Sequence, residues 1–140
     1  FRKEKIMKEI DVYVVNPVDQ TVLKQKMPND NSLDWAYHVI KCDTVTMTDY
    51  PCDKVPSKYL QVMLDDNGLL HNNQRYWRFK DMSHTVNNAY AGIGIITGFD
   101  YETGALADNP LDLEQMTAEI EFMEEGYDEE PMMQFAFMGS

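Results

Sequence analysis

Ile10-Asp-Val-Tyr-Val-Val15-Asn16-Pro17-Val-Asp-Gln-Thr21-Val-Leu-Lys-Gln-Lys-Met27 is the stretch whose reading decides the fold. β-Branched and aromatic residues over 10–15 suit a pleated strand, and Asn16-Pro17 stops it, because proline fixes φ and has no N–H to give a ladder. After a loop of about five residues, 21–27 is placed to return antiparallel. A second β signal is Leu60, Val62 and Leu64 in alternation, running into Asp65-Asp66-Asn67-Gly68. Asn-Gly between apolar runs favours a hairpin, since both residues tolerate positive φ.

Working outward, Thr44, Thr46 and Thr48 alternate with Val45 and Met47, the period of a half-buried strand. Ala91-Gly-Ile-Gly-Ile-Ile-Thr-Gly98 reads as a central strand, and Ala105–Ala107 as a short one. Two helices are predicted. Asn31 caps the first, Asp34 sits near its positive end, and Leu33, Ala36, Tyr37 and Ile40 form the apolar stripe. In the second, Asn109 caps, Pro110 takes the first helical position, and Leu113, Met116, Ile120 and Met123 line the buried side before Gly126. Residues 72–90 suit a helix capped by Asn72, although Trp77 and Phe79 would also fit a strand.

The expectation is one α+β domain over residues 1–140. A small, mainly antiparallel sheet (near 10–15, 21–27, 44–48, 60–64 and 91–97) is covered by two or three helices, near 32–40 and 111–125. An apolar fraction of 44%, with eight Tyr, six Phe and two Trp, supplies a globular core. Residues 1–8 stand outside the fold, with Met7 a candidate natural start, and 127–140 form an acidic then apolar tail. No apolar run reaches the roughly 20 residues of a membrane helix. Cys42 and Cys52 are read as free thiols of a cytoplasmic protein rather than as a disulfide framework.

Charge is divided unevenly. Lys80 is the last basic residue; 81–140 hold thirteen Asp/Glu, while 1–80 hold all twelve Lys/Arg against eleven acids. Such a half repels nucleic acid and anionic membranes and attracts a basic protein. Asp112, Glu114, Glu119, Glu121, Glu124 and Glu125 surround the stripe of the second predicted helix, and Asp128, Glu129 and Glu130 continue the run. Glu121 and Glu125 are a like-charge i,i+4 pair, and acids at a helix C-terminus oppose its dipole. Two readings stay open: a solvated face that aids solubility, or a surface that docks on a basic host protein, in the limit as a mimic of DNA phosphates.

Other constellations are thinner. His38 and Cys42 stand i,i+4, but metal sites want three or four ligands and no second pair has the spacing. Asp65–Gly68 lacks the ligand positions of a calcium loop. Gly92, Gly94 and Gly98 are spaced wrongly for a dinucleotide fingerprint and suit close packing or a bulge. No metal or cofactor and no catalytic residue is expected. An alternative ligand or catalytic site would use His71, Asn72 and Arg75, converging beside the Gly92–Gly98 strand. Arg75, Trp77, Arg78 and Lys80 mix bases with aromatics, the composition of a single-strand binding surface; packing of Tyr76, Trp77 and Phe79 is the plainer account, and pairing of the bases with the acidic helix a further one. The apolar end Met132, Met133, Phe135, Phe137 and Met138 is expected to dock in cis, leaving a monomer or a weak dimer.

The strings Val14-Val-Asn-Pro17 with Thr21-Val-Leu23, Val62-Met-Leu-Asp-Asp-Asn-Gly-Leu-Leu-His-Asn72 and Ala91-Gly-Ile-Gly-Ile-Ile-Thr-Gly98 together resemble a family of small domains of unknown function, borne mostly by bacteriophages, plasmids and integrated mobile elements. The likeness spans about residues 9–104 and departs at Asn73–Trp77, where the family carries a proline and small residues. It implies a mobile-element setting and no catalytic residues.

Overall fold

A computed structural model of the chain describes residues 9–49, 60–66, 75–80 and 89–124. Chain order is β1 (Glu9–Asn16), β2 (Thr21–Pro28), α1 (Ser32–Ile40), β3 (Val45–Asp49), β4 (Leu60–Asp65), β5 (Tyr76–Phe79), β6 (Tyr90–Ala91), β7 (Gly94–Asp100), β8 (Ala105–Ala107), α2 (Leu113–Ala118) and β9 (Ile120–Phe122). The described residues form a small, mostly antiparallel β domain with two helices, arranged as two sheets where one was expected.

The deciding stretch forms the predicted hairpin. β1 and β2 pair along their whole length, from Glu9 opposite Pro28 to Asn16 opposite Thr21. Its turn is closed by the Asn16 side chain, whose Oδ1 accepts the N–H groups of Val18 (2.9 Å) and Asp19 (3.2 Å). The large sheet runs β2-β1-β7-β4-β3, with β8 also paired to β7. Ile96 of β7 faces Tyr13 of β1 on one edge and Val62 of β4 on the other. β6, β5 and β9 make the second sheet, with Trp77 between Tyr90 and Phe122.

Side-chain alternation sends the core to both faces of the large sheet. Ile10, Val12, Val14, Met27, Met63 and Ile95 gather on one face, where α1 contributes Ala36 and Ile40. Tyr13, Val15, Leu60, Val62, Leu64 and Ile96 point the other way and meet Trp77 and Phe79 of the second sheet, Met116 of α2 and Ile120 of β9. β1 is therefore buried on both sides, which suits its near-continuous apolar sequence. The Tyr13 hydroxyl crosses to donate to the Leu111 carbonyl at 2.7 Å. Burial there pushes its pKa up, with Asp112 and Asp11 adding to the shift.

Several expectations are corrected. The stretch within 72–90 expected to be helical contains β5 and the start of β6: Trp77 and Phe79 join the main core while Tyr76 and half-buried Arg78 take the other face, a period of two. The helix expected over 111–125 ends at Ala118, and Ile120-Glu121-Phe122 becomes a strand because β5 offers it an open edge. Asp112, not Asn109, caps α2, in a capping box with Gln115. Asn109 is buried instead, donating to the Ile96 carbonyl and accepting from Leu111 N–H, and Pro110 precedes the helix. Asn31 does occupy the cap position of α1, but in the left-handed region and with no side-chain cap bond. Leu33 and Leu113, expected in the buried stripes, are 47% and 46% exposed. Asn67 and Gly68 of the expected hairpin, Cys52 and the 132–138 tail lie outside the described residues.

Candidate functional site

The acids of the C-terminal half hold unequal positions. The Asp112 carboxylate is engaged as the cap, accepting Gln115 N–H at 2.7 Å. Glu114 is exposed in the first turn of α2 and Glu124 just past β9, while Glu119 is half-buried at the helix end. Glu121 lies across from Arg78 in the β5–β9 ladder, and its Oε1 accepts Arg78 Nε–H at 3.0 Å. That pair joins the basic stretch to the acidic one, a further option in the sequence, and does so between strands rather than on a helix. Glu125, Asp128, Glu129 and Glu130 lie outside the described residues.

Three further exposed acids, Asp100, Glu102 and Asp108, lie upstream, where no residue stood out in the sequence. Asp100, Glu102, Asp108, Asp112, Glu114 and Glu124 are the exposed six of the eight carboxylates within 89–124, a stretch without Lys or Arg. Asp100 and Glu102 belong to the turn from β7 to β8. There Asp100 Oδ1 accepts Glu102 N–H at 2.9 Å, the Asp100 carbonyl accepts Gly104 N–H at 2.7 Å, and Gly104 takes the positive φ of 75° that closes the turn. Asp108 follows β8, its Oδ1 accepting Asp11 N–H at 2.7 Å. Phe99 and Tyr101 pack edge to face with ring centroids 4.8 Å apart. These residues surround a recess of about 500 Å3 lined by Phe99, Asp100, Tyr101, Glu102, Ala107, Asp108 and Pro110. The acid–aromatic alternation of Phe99-Asp-Tyr-Glu102 was the available signal.

The glycine run does structural work of packing. A Cβ on Gly94 would lie 2.4 Å from Trp77 Cζ2, and one on Gly98 would lie 2.0 Å from the Asp108 carbonyl oxygen. Gly92 takes a φ of 80° between β6 and β7. Its N–H donates to the Arg75 carbonyl at 2.9 Å, and its carbonyl accepts Trp77 Nε1–H at 3.0 Å. Arg75 is thus brought to the glycine run through its backbone, and its Nε is buried with no hydrogen-bond partner among the described residues. His71 and Asn72, its companions in the alternative site, lie outside them. A recess of about 520 Å3 nearby is bounded by Asn16, Asp19, Lys41, Asp65 and Gly92.

Cys42 follows the helix, which ends at Ile40, and packs against the α1-side core; His38 remains exposed on α1. Burial, with Asp65 second, pushes the Cys42 thiol pKa up. Among the described residues no three His, Cys, Asp or Glu are grouped to hold a metal, and no helix is long and apolar enough to cross a membrane. Comparison with protein-family models, with curated proteins and with solved structures finds no match to the chain.

Proposed function

We propose that this chain is a non-enzymatic accessory protein of a phage or mobile element that binds a basic host protein through the acidic face of its C-terminal half. The observation that carries the reading is the one-sided charge: thirteen acids and no Lys or Arg from residue 81 onward, with six of the eight carboxylates within 89–124 turned to solvent. A fold needs no such bias, and a surface tuned for stability alone would intersperse both signs. A face of fixed negative charge attracts a basic protein, and a DNA-reading protein would meet it as it meets phosphates, in competition with DNA. The mobile-element setting rests on the resemblance over residues 9–104, and a host cytoplasm follows from it.

The test is capture from nuclease-treated host lysate at low and high salt, with duplex DNA as competitor. Partners should be lost as salt rises and displaced by DNA. Reversing the exposed Glu102, Glu114 and Glu124 to Lys should abolish capture while the circular dichroism spectrum is kept. Glu121 is spared, because a lysine there would face Arg78 and damage the second sheet. Retention of the same partners at high salt, or no partner at all, would overturn the reading.

A further inference from the structure

The recess beside the β7–β8 turn combines an apolar, aromatic wall with an acidic rim. The wall comes from Phe99, Tyr101, Ala107 and Pro110, and the rim carries Glu102 with Asp100 and Asp108, each of which has only its Oδ1 engaged by a backbone N–H among the described residues. Tyr101 is 53% exposed, yet its ring is fixed by the edge-to-face contact with Phe99. An exposed ring ringed by carboxylates is poorly matched to an apolar ligand and well matched to a cation, which binds the π face and pairs with the rim at once.

We infer that this recess seats an arginine side chain of the basic partner; the inference rests on the proposed function and specifies its contact point. Arginine suits the site better than lysine. Its planar guanidinium stacks on an aromatic ring, presents several donors to separate carboxylates, and sheds water more readily, while its methylene stem covers the apolar wall. A basic partner is the better occupant than a second copy, since two chains of net charge −12 repel.

The test is a titration of the 15N-labelled full chain with nona-arginine at low salt, with nona-lysine alongside. The largest amide shifts should fall within 99–109, and nona-arginine should bind more tightly than nona-lysine. Tyr101→Ala and Glu102→Gln should each weaken nona-arginine binding by about two- to fivefold, the scale of an exposed cation–π or ion-pair contact, and Tyr101→Phe should restore it. Shifts centred on Glu114 and Glu124 with 99–109 silent would overturn the recess and leave the acidic-face reading intact. Absence of binding anywhere at low salt would remove both. Shifts at 99–109 on concentrating the chain without peptide would make a second copy the occupant and overturn the arginine assignment.

Discussion

Replacing Gly94 by alanine should destabilise the domain through a single contact, and a second substitution should relieve it. The new Cβ would lie 2.4 Å from Trp77 Cζ2 and 3.2 Å from Leu64 Cδ2, where carbon atoms rest at about 3.5–4.0 Å. Trp77 cannot swing aside cheaply. It is fully buried, its Nε1–H is held by the Gly92 carbonyl at 3.0 Å, and its ring centroid lies 4.8 Å from Tyr90 and 5.3 Å from Phe79. Relief therefore requires the second sheet to move from the first. Overpacking of this kind costs about 1–3 kcal/mol, and the lower unfolded-state entropy of alanine offsets about 0.4–1 kcal/mol of it. Gly94 does not have positive φ, so no backbone strain adds to the sum. The net loss should be about 1–2 kcal/mol. Trp77→Phe removes the ring that carries Cζ2, at a cost of its own because the Gly92 carbonyl loses its donor. In the double variant the alanine methyl enters the space vacated by the indole, and the two losses should fall short of additivity by about 1 kcal/mol. Urea unfolding followed by far-UV circular dichroism reads all four proteins without relying on the lost indole. A Gly94→Ala variant as stable as the parent, or a double variant additive within about 0.5 kcal/mol, would refute the steric argument.

Other outcomes follow from the same packing. In a Cys52→Ser background, Cys42 should react with a thiol reagent at pH 8 more slowly in the folded than in the unfolded chain, with the gap narrowing as pH rises toward its raised pKa; equal rates would contradict its burial. Asp112→Ala should cost about 1 kcal/mol by leaving Gln115 N–H uncapped, measured as a shift in urea midpoint, and Asp112→Asn should recover most of it. Asp11 has its carboxyl pKa lowered, chiefly by the hydrogen bond from Lys26, whose Nζ lies 2.7 Å from Oδ1. A depressed folded pKa gives stability that is complete above the unfolded value and lost as pH falls through the folded one. The stability difference between parent and Asp11→Asn should accordingly be flat near neutral pH and shrink below about pH 4, more weakly at high salt.

The elements legible in the sequence are those whose signals are local. The β1–β2 hairpin needs only its β-branched run and the Asn16 turn, and α1 falls at 32–40 because its pattern and its flanking turn residues agree. Asn31 stands at its cap as the pattern indicates, but its left-handed φ withdraws the side chain from the helix N–H groups that it would otherwise satisfy. The 113–123 stripe fits a helix by spacing, but Ile120 and Phe122 also fit a strand, and the choice belongs to β5, more than forty residues earlier in the chain. Trp77 and Phe79 carry the right period; the Asn72 capping signal obscured it. At the candidate surface, net charge is visible from composition. Which carboxylates stay available is not, since that depends on Arg78 reaching Glu121, Asp112 folding back on Gln115, and Asp108 meeting Asp11.

The central place of β7 has a consequence for biosynthesis. β1 and β4 both precede β7 and are joined through it alone in the large sheet, so neither gains its shared neighbour until residues 94–100 have emerged. At roughly 5–20 residues per second, a ribosome needs seconds to pass from Asp65 to Asp100. Throughout that interval the nascent chain carries two apolar strands with open backbone edges, the form most prone to pairing with another chain. A product terminated before Gly94 would keep those edges permanently, and its expected fate is aggregation or proteolysis rather than a smaller stable domain.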